Sequence, residues 1–135
     1  MASSITVTKR FRFYAAHRNT DLCGKCESIH GHCYVLLVAV TAPKRSSVTI
    51  PFAELEAAVS PVIEEMDHSL LLWSKDPARG ALESSGACEK TYVVPFQTSC
   101  ENMADHIMRR LQVAGLDVVS LTLQETETSS VTVTP

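Results

Sequence analysis

From His32 the chain runs C-Y-V-L-L-V-A-V to Val40, with no charged residue and no polar alternation. So apolar and β-branched a stretch is expected as a strand buried on both faces, in a sheet that is itself covered or closed. The rest of the sequence must supply that cover. With 135 residues there is room for one compact core, so residues 1–135 are read as a single domain.

Two amphipathic stretches can provide the cover. Phe52, Leu55, Val59, Ile63 and Met66 recur at three or four residues behind Pro51, which predicts a helix with one apolar stripe. Pro61 falls inside it and removes a backbone donor, so a kink is expected in the second half. Thr98 followed by Glu101 has the spacing of a capping box; Met103, Ala104, Ile107, Met108 and Leu111 then form a second stripe that stops before Gly115. Strand periodicity precedes and follows the helices. Residues 5–17 place Val7, Phe11, Phe13 and Ala15 on one side and Thr8, Arg10 and Arg12 on the other, and Val119, Leu121 and Leu123 alternate toward Glu125. Residues 74–90 read as a long loop, and TYVVPF after it as a short edge strand. The expected class is α+β, a small antiparallel sheet with two helices packed on one face.

Charge and cysteine usage narrow the function. Twelve Lys and Arg against fifteen Asp and Glu give a net charge of −3, which provides no dense basic face for nucleic acid or an anionic membrane. Neither partner is expected. No run of eighteen apolar residues occurs, and Met1 to Thr8 lacks the pattern of a secretory signal, so a cytoplasmic protein is expected. The five cysteines, Cys23, Cys26, Cys33, Cys88 and Cys100, are odd in number and are read as free thiols, metal ligands or a nucleophile rather than a disulfide framework.

His30 and His32 are two apart, so an extended backbone projects both imidazoles from one face. On the first strand the phase of Phe11, Phe13 and Ala15 leads to His17, which delivers a third imidazole if the two strands are neighbours. Three neutral nitrogens leave a tetrahedral zinc ion one open position, as in catalytic sites. The H-G-H triplet alone is a weak signal, and a single histidine is more often a surface or core residue. A competing ligand set is the string from Cys23 and Cys26 to His30 and His32, a structural zinc knot. Its second pair follows too closely, since zinc fingers separate their pairs by about a dozen residues. Cys26 has another role open to it, a thiolate beside Lys25 and a metal that acts as base or nucleophile. Cys33 faces away from the histidines and is expected in the core.

Asp67 and His68 follow the first helix. They are either a helix end with a cationic imidazole near its C-terminal dipole, or a relay in which the carboxylate orients a proton-carrying imidazole. Glu125 continues an apolar strand face, so its carboxylate needs solvent or a donor-rich partner. Two adjacent N–H groups of an aminopyrimidinone ring would match it bidentately; the plainer alternative is a strand running into water.

Taken together, these residues resemble the 6-pyruvoyltetrahydropterin synthase / 6-carboxytetrahydropterin synthase family over most of the chain. FRFYAAHR resembles the family's first-strand motif and CESIHGHCY its C-x-x-x-H-G-H segment. PFAELEAAVSPVIEEMDHSLL resembles its first helix with the D-H ending, TSCENMA the start of the second helix, and LTLQET the final strand. The resemblance implies the tunnelling fold (T-fold), in which small antiparallel sheets from several subunits close a barrel, commonly a homohexamer made of two trimers with active sites at subunit interfaces. It implies that His17, His30 and His32 bind zinc, that Cys26, Asp67 and His68 move protons, and that Glu125 anchors the pterin. The implied substrate is 7,8-dihydroneopterin triphosphate, which loses triphosphate and, in the 6-carboxy branch leading toward queuosine and other 7-deazapurines, acetaldehyde as well. The gap of three residues between Cys26 and His30 resembles the 6-carboxy branch. The pyruvoyl-forming enzyme and a non-catalytic zinc- or pterin-binding homologue are the alternatives. Arg18 and Lys25 flank the ligand loop, either to meet the triphosphate or as solvated charge. Three features depart from the family: Pro51 before the first helix, Val133 where an aromatic residue is usual, and the longer loop at 74–90.

Overall fold

The computed structural model describes residues 4–22 and 24–135. Its strands are β1 (Val7–His17), β2 (His30–Thr41), β3 (Ser69–Trp73), β4 (Thr91–Val94), β5 (Asp117–Thr126) and β6 (Ser129–Val133); its helices are α1 (Phe52–Met66), α2 (Arg79–Ser84) and α3 (Cys100–Val113). All six strands join one sheet in the order β4-β3-β1-β2-β5-β6. β1 and β2 pair antiparallel without a break from Val7↔Val40 to His17↔His30, and β5 and β6 continue the antiparallel set. β3 and β4 add to it parallel. The small antiparallel sheet that the sequence predicts is thus mixed on that side. The reason is connectivity: α1 carries the chain from the end of β2 back to the His17 end of β1, so β3 starts beside Ala15 and runs the same way as β1, and the crossover through α2 then delivers β4 parallel to β3.

The core lies on one face of the sheet. Phe13 and Ala15 of β1, Tyr34, Leu36 and Val38 of β2, and Leu121 and Leu123 of β5 are buried there against Leu55, Val59 and Met66 of α1 and Met103, Ile107 and Leu111 of α3. Both predicted helices thus cover the same face, as the α+β reading required. Several local expectations change. α1 continues past Pro61 to Met66, so the second half of the predicted helix is present, with Pro61 on its exposed side. Phe52 is 64 % exposed, so the stripe begins at Leu55 and gains Val62. Val118 is buried in place of Val119, since the bulge between Ala39 and Val40 shifts the register and reverses which side chains face inward.

The start of α3 is capped by Ser99, whose hydroxyl accepts the Asn102 N–H at 3.2 Å. Thr98 has other partners, described below, so the predicted capping box is displaced by one residue. Cys33 does face away from the histidines, but it is exposed rather than in the core. The stretch 74–90 contains α2, a short helix with no buried residue. TYVVPF supplies the expected edge strand as β4. Among the described residues, no helix is long and apolar enough to cross a membrane.

Candidate metal centre

The β1–β2 register sets the histidines together. His17 lies opposite His30, and Ala15 opposite His32, so three imidazoles meet at the end of the ribbon on the face that carries the core. β5 brings Glu125 to them on the same face, two residues beyond the buried Leu123. One donor atom from each of His17, His30, His32 and Glu125 lies within 4.8 Å of the other three. Cys26 is not in this group, and Cys23 lies outside the described residues.

Hydrogen bonds to the outer nitrogens fix how two of these rings present themselves. His17 Nδ1 is 2.6 Å from the Thr98 carbonyl and His30 Nδ1 is 2.7 Å from the Ser28 carbonyl. A carbonyl can only accept, so each Nδ1 carries the proton and each Nε2 is left as a lone pair aimed into the cluster. His17 Nε2 and His32 Nε2 are buried without a hydrogen-bond partner. The Glu125 Oε1 is 3.2 Å from His32 Nε2 but outside hydrogen-bond alignment. Buried nitrogens without partners are costly, and a divalent cation satisfies several lone pairs at once. Burial also lowers the pKa of His17 and of His32, which keeps both in the neutral form that ligation requires. The residues present therefore fit a metal ion with imidazole and carboxylate preferences, such as zinc.

These lowered values carry a prediction for the metal-free chain. Between the folded-state pKa and the ordinary 6.5, the unfolded state binds more protons than the folded one. Stability should therefore be complete above about pH 6.5 and decline as the pH falls through that window. Urea titrations of metal-free protein across the window measure this, with His17→Gln removing part of the slope.

The cluster opens on a cleft of about 310 Å³ whose lining includes His17, His30, Glu125, Cys26 and Glu101. That volume suits a small organic ligand. Cys26 sits in a single 3-10 turn, Gly24–Glu27, and is exposed. Its carbonyl accepts the Asn19 N–H at 2.8 Å, which closes the loop between β1 and β2. Cys100, which also lines the cleft, is a poor nucleophile: its thiol donates to the Leu123 carbonyl, and burial pushes its pKa up to about 12. Glu101 was missed as a site residue. Sequence spacing gave it the acidic position of a capping box headed by Thr98; with Ser99 as the cap that position passes to Asn102, and among the described residues no hydrogen bond or ion pair holds the Glu101 carboxylate. An acidic residue in the first turn of a helix that starts beside the ligand loop was the available signal.

Asp67 and His68 are placed elsewhere. The Asp67 carboxylate accepts the Tyr14 N–H at 2.9 Å and lies 2.9 Å from His68 Nδ1. Partial burial pushes the Asp67 pKa up, but the Tyr14 N–H and His68 outweigh this and hold it below the ordinary value. His68 adopts a left-handed backbone with φ 57°, and Lys90 donates to the Asp67 carbonyl at 2.8 Å, so the pair is held at a fixed corner. It faces a second cavity of about 1080 Å³ that also touches Tyr14 and Cys33, on the other side of the β1–β2 ribbon. Cys26 with His17 and His30 on one side, and Asp67 with His68 on the other, therefore line different cavities of one chain, and His32 is the one histidine that also borders the second. Arg18 is not free to meet an anion, because Asp76 holds its guanidinium. Lys25 is exposed beside Cys26.

Comparison with known proteins gives this geometry a family. The family model described as 6-pyruvoyl tetrahydropterin synthase matches residues 6–135. The chain is similar to the 6-carboxy-5,6,7,8-tetrahydropterin synthase of Haemophilus influenzae, with 31% identity over 132 residues that cover 91% of this chain and 94% of the relative. Among solved structures, an uncharacterized protein from Wolinella succinogenes superposes with a TM-score of 0.81 at 19% identity, covering 98% of this chain and 99% of the other. The Caenorhabditis elegans 6-pyruvoyl tetrahydropterin synthase gives 0.68 at 22% identity, covering 98% and 96%. Those structural likenesses establish a shared fold, and with a family match that runs from β1 to the last residue, the chain belongs to the 6-pyruvoyl tetrahydropterin synthase family.

Proposed function

We propose that this protein is a cytoplasmic, zinc-dependent 6-carboxy-5,6,7,8-tetrahydropterin synthase, a lyase that converts 7,8-dihydroneopterin triphosphate with release of triphosphate and acetaldehyde in a queuosine-type pathway. The observation that carries the reading is the convergence of His17, His30 and His32 beside Glu125 at the mouth of a ligand-sized cleft that also holds Cys26. The 6-carboxy product is favoured over the 6-pyruvoyl one by the name of the Haemophilus influenzae relative and by the short spacing from Cys26 to His30.

A zinc ion held by the three imidazoles would supply Lewis-acid polarisation of the hydroxyls on the substrate side chain. The residues of the chain supply the rest. Cys26, exposed at the cleft, removes a proton from a side-chain carbon. Glu125 binds the aminopyrimidinone edge of the pterin through paired N–H donors, and Glu101 offers a second carboxylate in the same cleft. His68, oriented by Asp67 at 2.9 Å, returns a proton to the substrate.

That last role needs a second copy of the chain. Cys26 and His68 lie on opposite sides of one ribbon, so one subunit supplies the thiol and metal and a neighbour supplies the relay. β4 and β6 are the two edge strands of the sheet and can pair between copies to close a barrel. A homohexamer built as a dimer of trimers satisfies both requirements. Incubating zinc-loaded protein with 7,8-dihydroneopterin triphosphate tests the reading. Acetaldehyde and triphosphate are expected in equal amounts; triphosphate with a pyruvoyl pterin and no acetaldehyde would mean the other branch, and no turnover would leave a binding protein.

A further inference from the structure

Arg18 directly follows the ligand His17 and opens the loop that ends at His30. Its guanidinium grips Asp76 with two prongs, Nε to Oδ2 at 2.9 Å and Nη2 to Oδ1 at 2.6 Å. The Asp76 side chain is only 3 % exposed, and it sits in the turn after β3, where its Oδ1 also accepts the Ala78 N–H at 2.8 Å and its own N–H donates to the Trp73 carbonyl at 3.0 Å. A buried carboxylate in so fixed a turn is an anchor. The hydrogen bonds from Arg18 lower the Asp76 pKa, so the anchor stays charged.

The other end of the same guanidinium reaches the loop again. Nη1 donates to the Glu27 carbonyl at 3.5 Å, one residue from Cys26, while the Arg18 carbonyl accepts the Thr98 hydroxyl at 3.1 Å. Asn19 N–H holds the Cys26 carbonyl at 2.8 Å. One side chain thus connects a turn outside the site to both ends of the loop that carries the thiol. We propose that Arg18 and Asp76 are positioning residues, a latch anchored on the buried Asp76 carboxylate that holds the Cys26 loop against the metal cleft and sets where the thiol meets the substrate. The proposal rests on the reading of Cys26 as the proton carrier.

The planar fork is the essential feature, since Lys cannot make two parallel bonds to one carboxylate. Asp76→Asn keeps the acceptor for Ala78 N–H and nearly the same shape, and Arg18→Lys keeps the charge. Arg109→Gln, which breaks an exposed pair with Asp105 on α3, is the control. Amide hydrogen exchange, metal content and steady-state kinetics are compared in the full-length protein. For both latch variants, exchange at residues 18–28 should rise by about tenfold with the β1–β2 ladder unchanged, and kcat should fall by about tenfold with KM within twofold and metal content intact. A merely structural pair would raise exchange across the whole sheet, and that result overturns the proposal. So does a kcat or a loop exchange rate within about twofold of the parent in Asp76→Asn. The reading beneath is judged separately: if Cys26→Ala keeps its turnover, the thiol has lost its role, and the latch then stands or falls on exchange at residues 18–28 alone.

Discussion

Cys26→Ala is expected to lower kcat by about 10²- to 10⁴-fold while the protein keeps its metal, the range associated with removing a general base. The expectation follows from separation of roles. Cys26 lines the cleft but is absent from the group of donor atoms that converge within 4.8 Å, so on the proposed mechanism deleting its sulfur removes a proton acceptor and leaves the four converging donors in place. The thiol is exposed in a single helical turn, so truncation opens no cavity in the core. Metal analysis together with single-turnover kinetics separates the two effects. Parallel loss of metal would return Cys26 to the ligand set and revive the zinc-knot reading; unchanged turnover would take it out of the mechanism.

The opposite pattern is expected for His17→Ala. His17 is 3 % exposed, and its Nδ1 proton bonds the Thr98 carbonyl at 2.6 Å, so its ring is held by the start of α3 as well as by β1. Losing a ligand should weaken metal binding by more than the roughly 10–100-fold that follows loss of a partner behind a ligand. Turnover should fall with the metal. The metal-free chain should also lose about 1–3 kcal/mol, since the Thr98 carbonyl is left buried without its donor. Competition with a chromogenic chelator and urea unfolding measure these two losses. Metal affinity equal to the parent's would mean that His17 is an ordinary core histidine.

The histidine cluster was legible because its information is local and periodic. The H-G-H spacing and the phase of β1 place three rings on one face of two strands, and pairing these strands in the simplest register brings the rings together. Residues whose roles depend on a remote partner were not legible. Arg18 read either as a cation for the triphosphate or as solvated charge, because its partner Asp76 lies 58 residues away in a turn that carries no motif. β3 was hidden in the apolar run SLLLW, buried along most of its length and therefore without alternation. β6 had the reverse problem, with SSVTV half exposed on an edge and too polar to stand out. α2 buries nothing and so leaves no apolar stripe. The bulge at Ala39 and Val40 could not be seen either, and it inverted the expected facing of Val118 and Val119.

The placement of Asp67 and His68 behind the ribbon that carries the imidazoles reaches beyond geometry. In the proposed chemistry every subunit is half of two different workplaces, lending its metal to one and its acid to another. Output per gram is then a property of the assembled population. A chain damaged in both parts and mixed into intact ones would silence two sites, whereas two chains each damaged in one part could still share a working one between them.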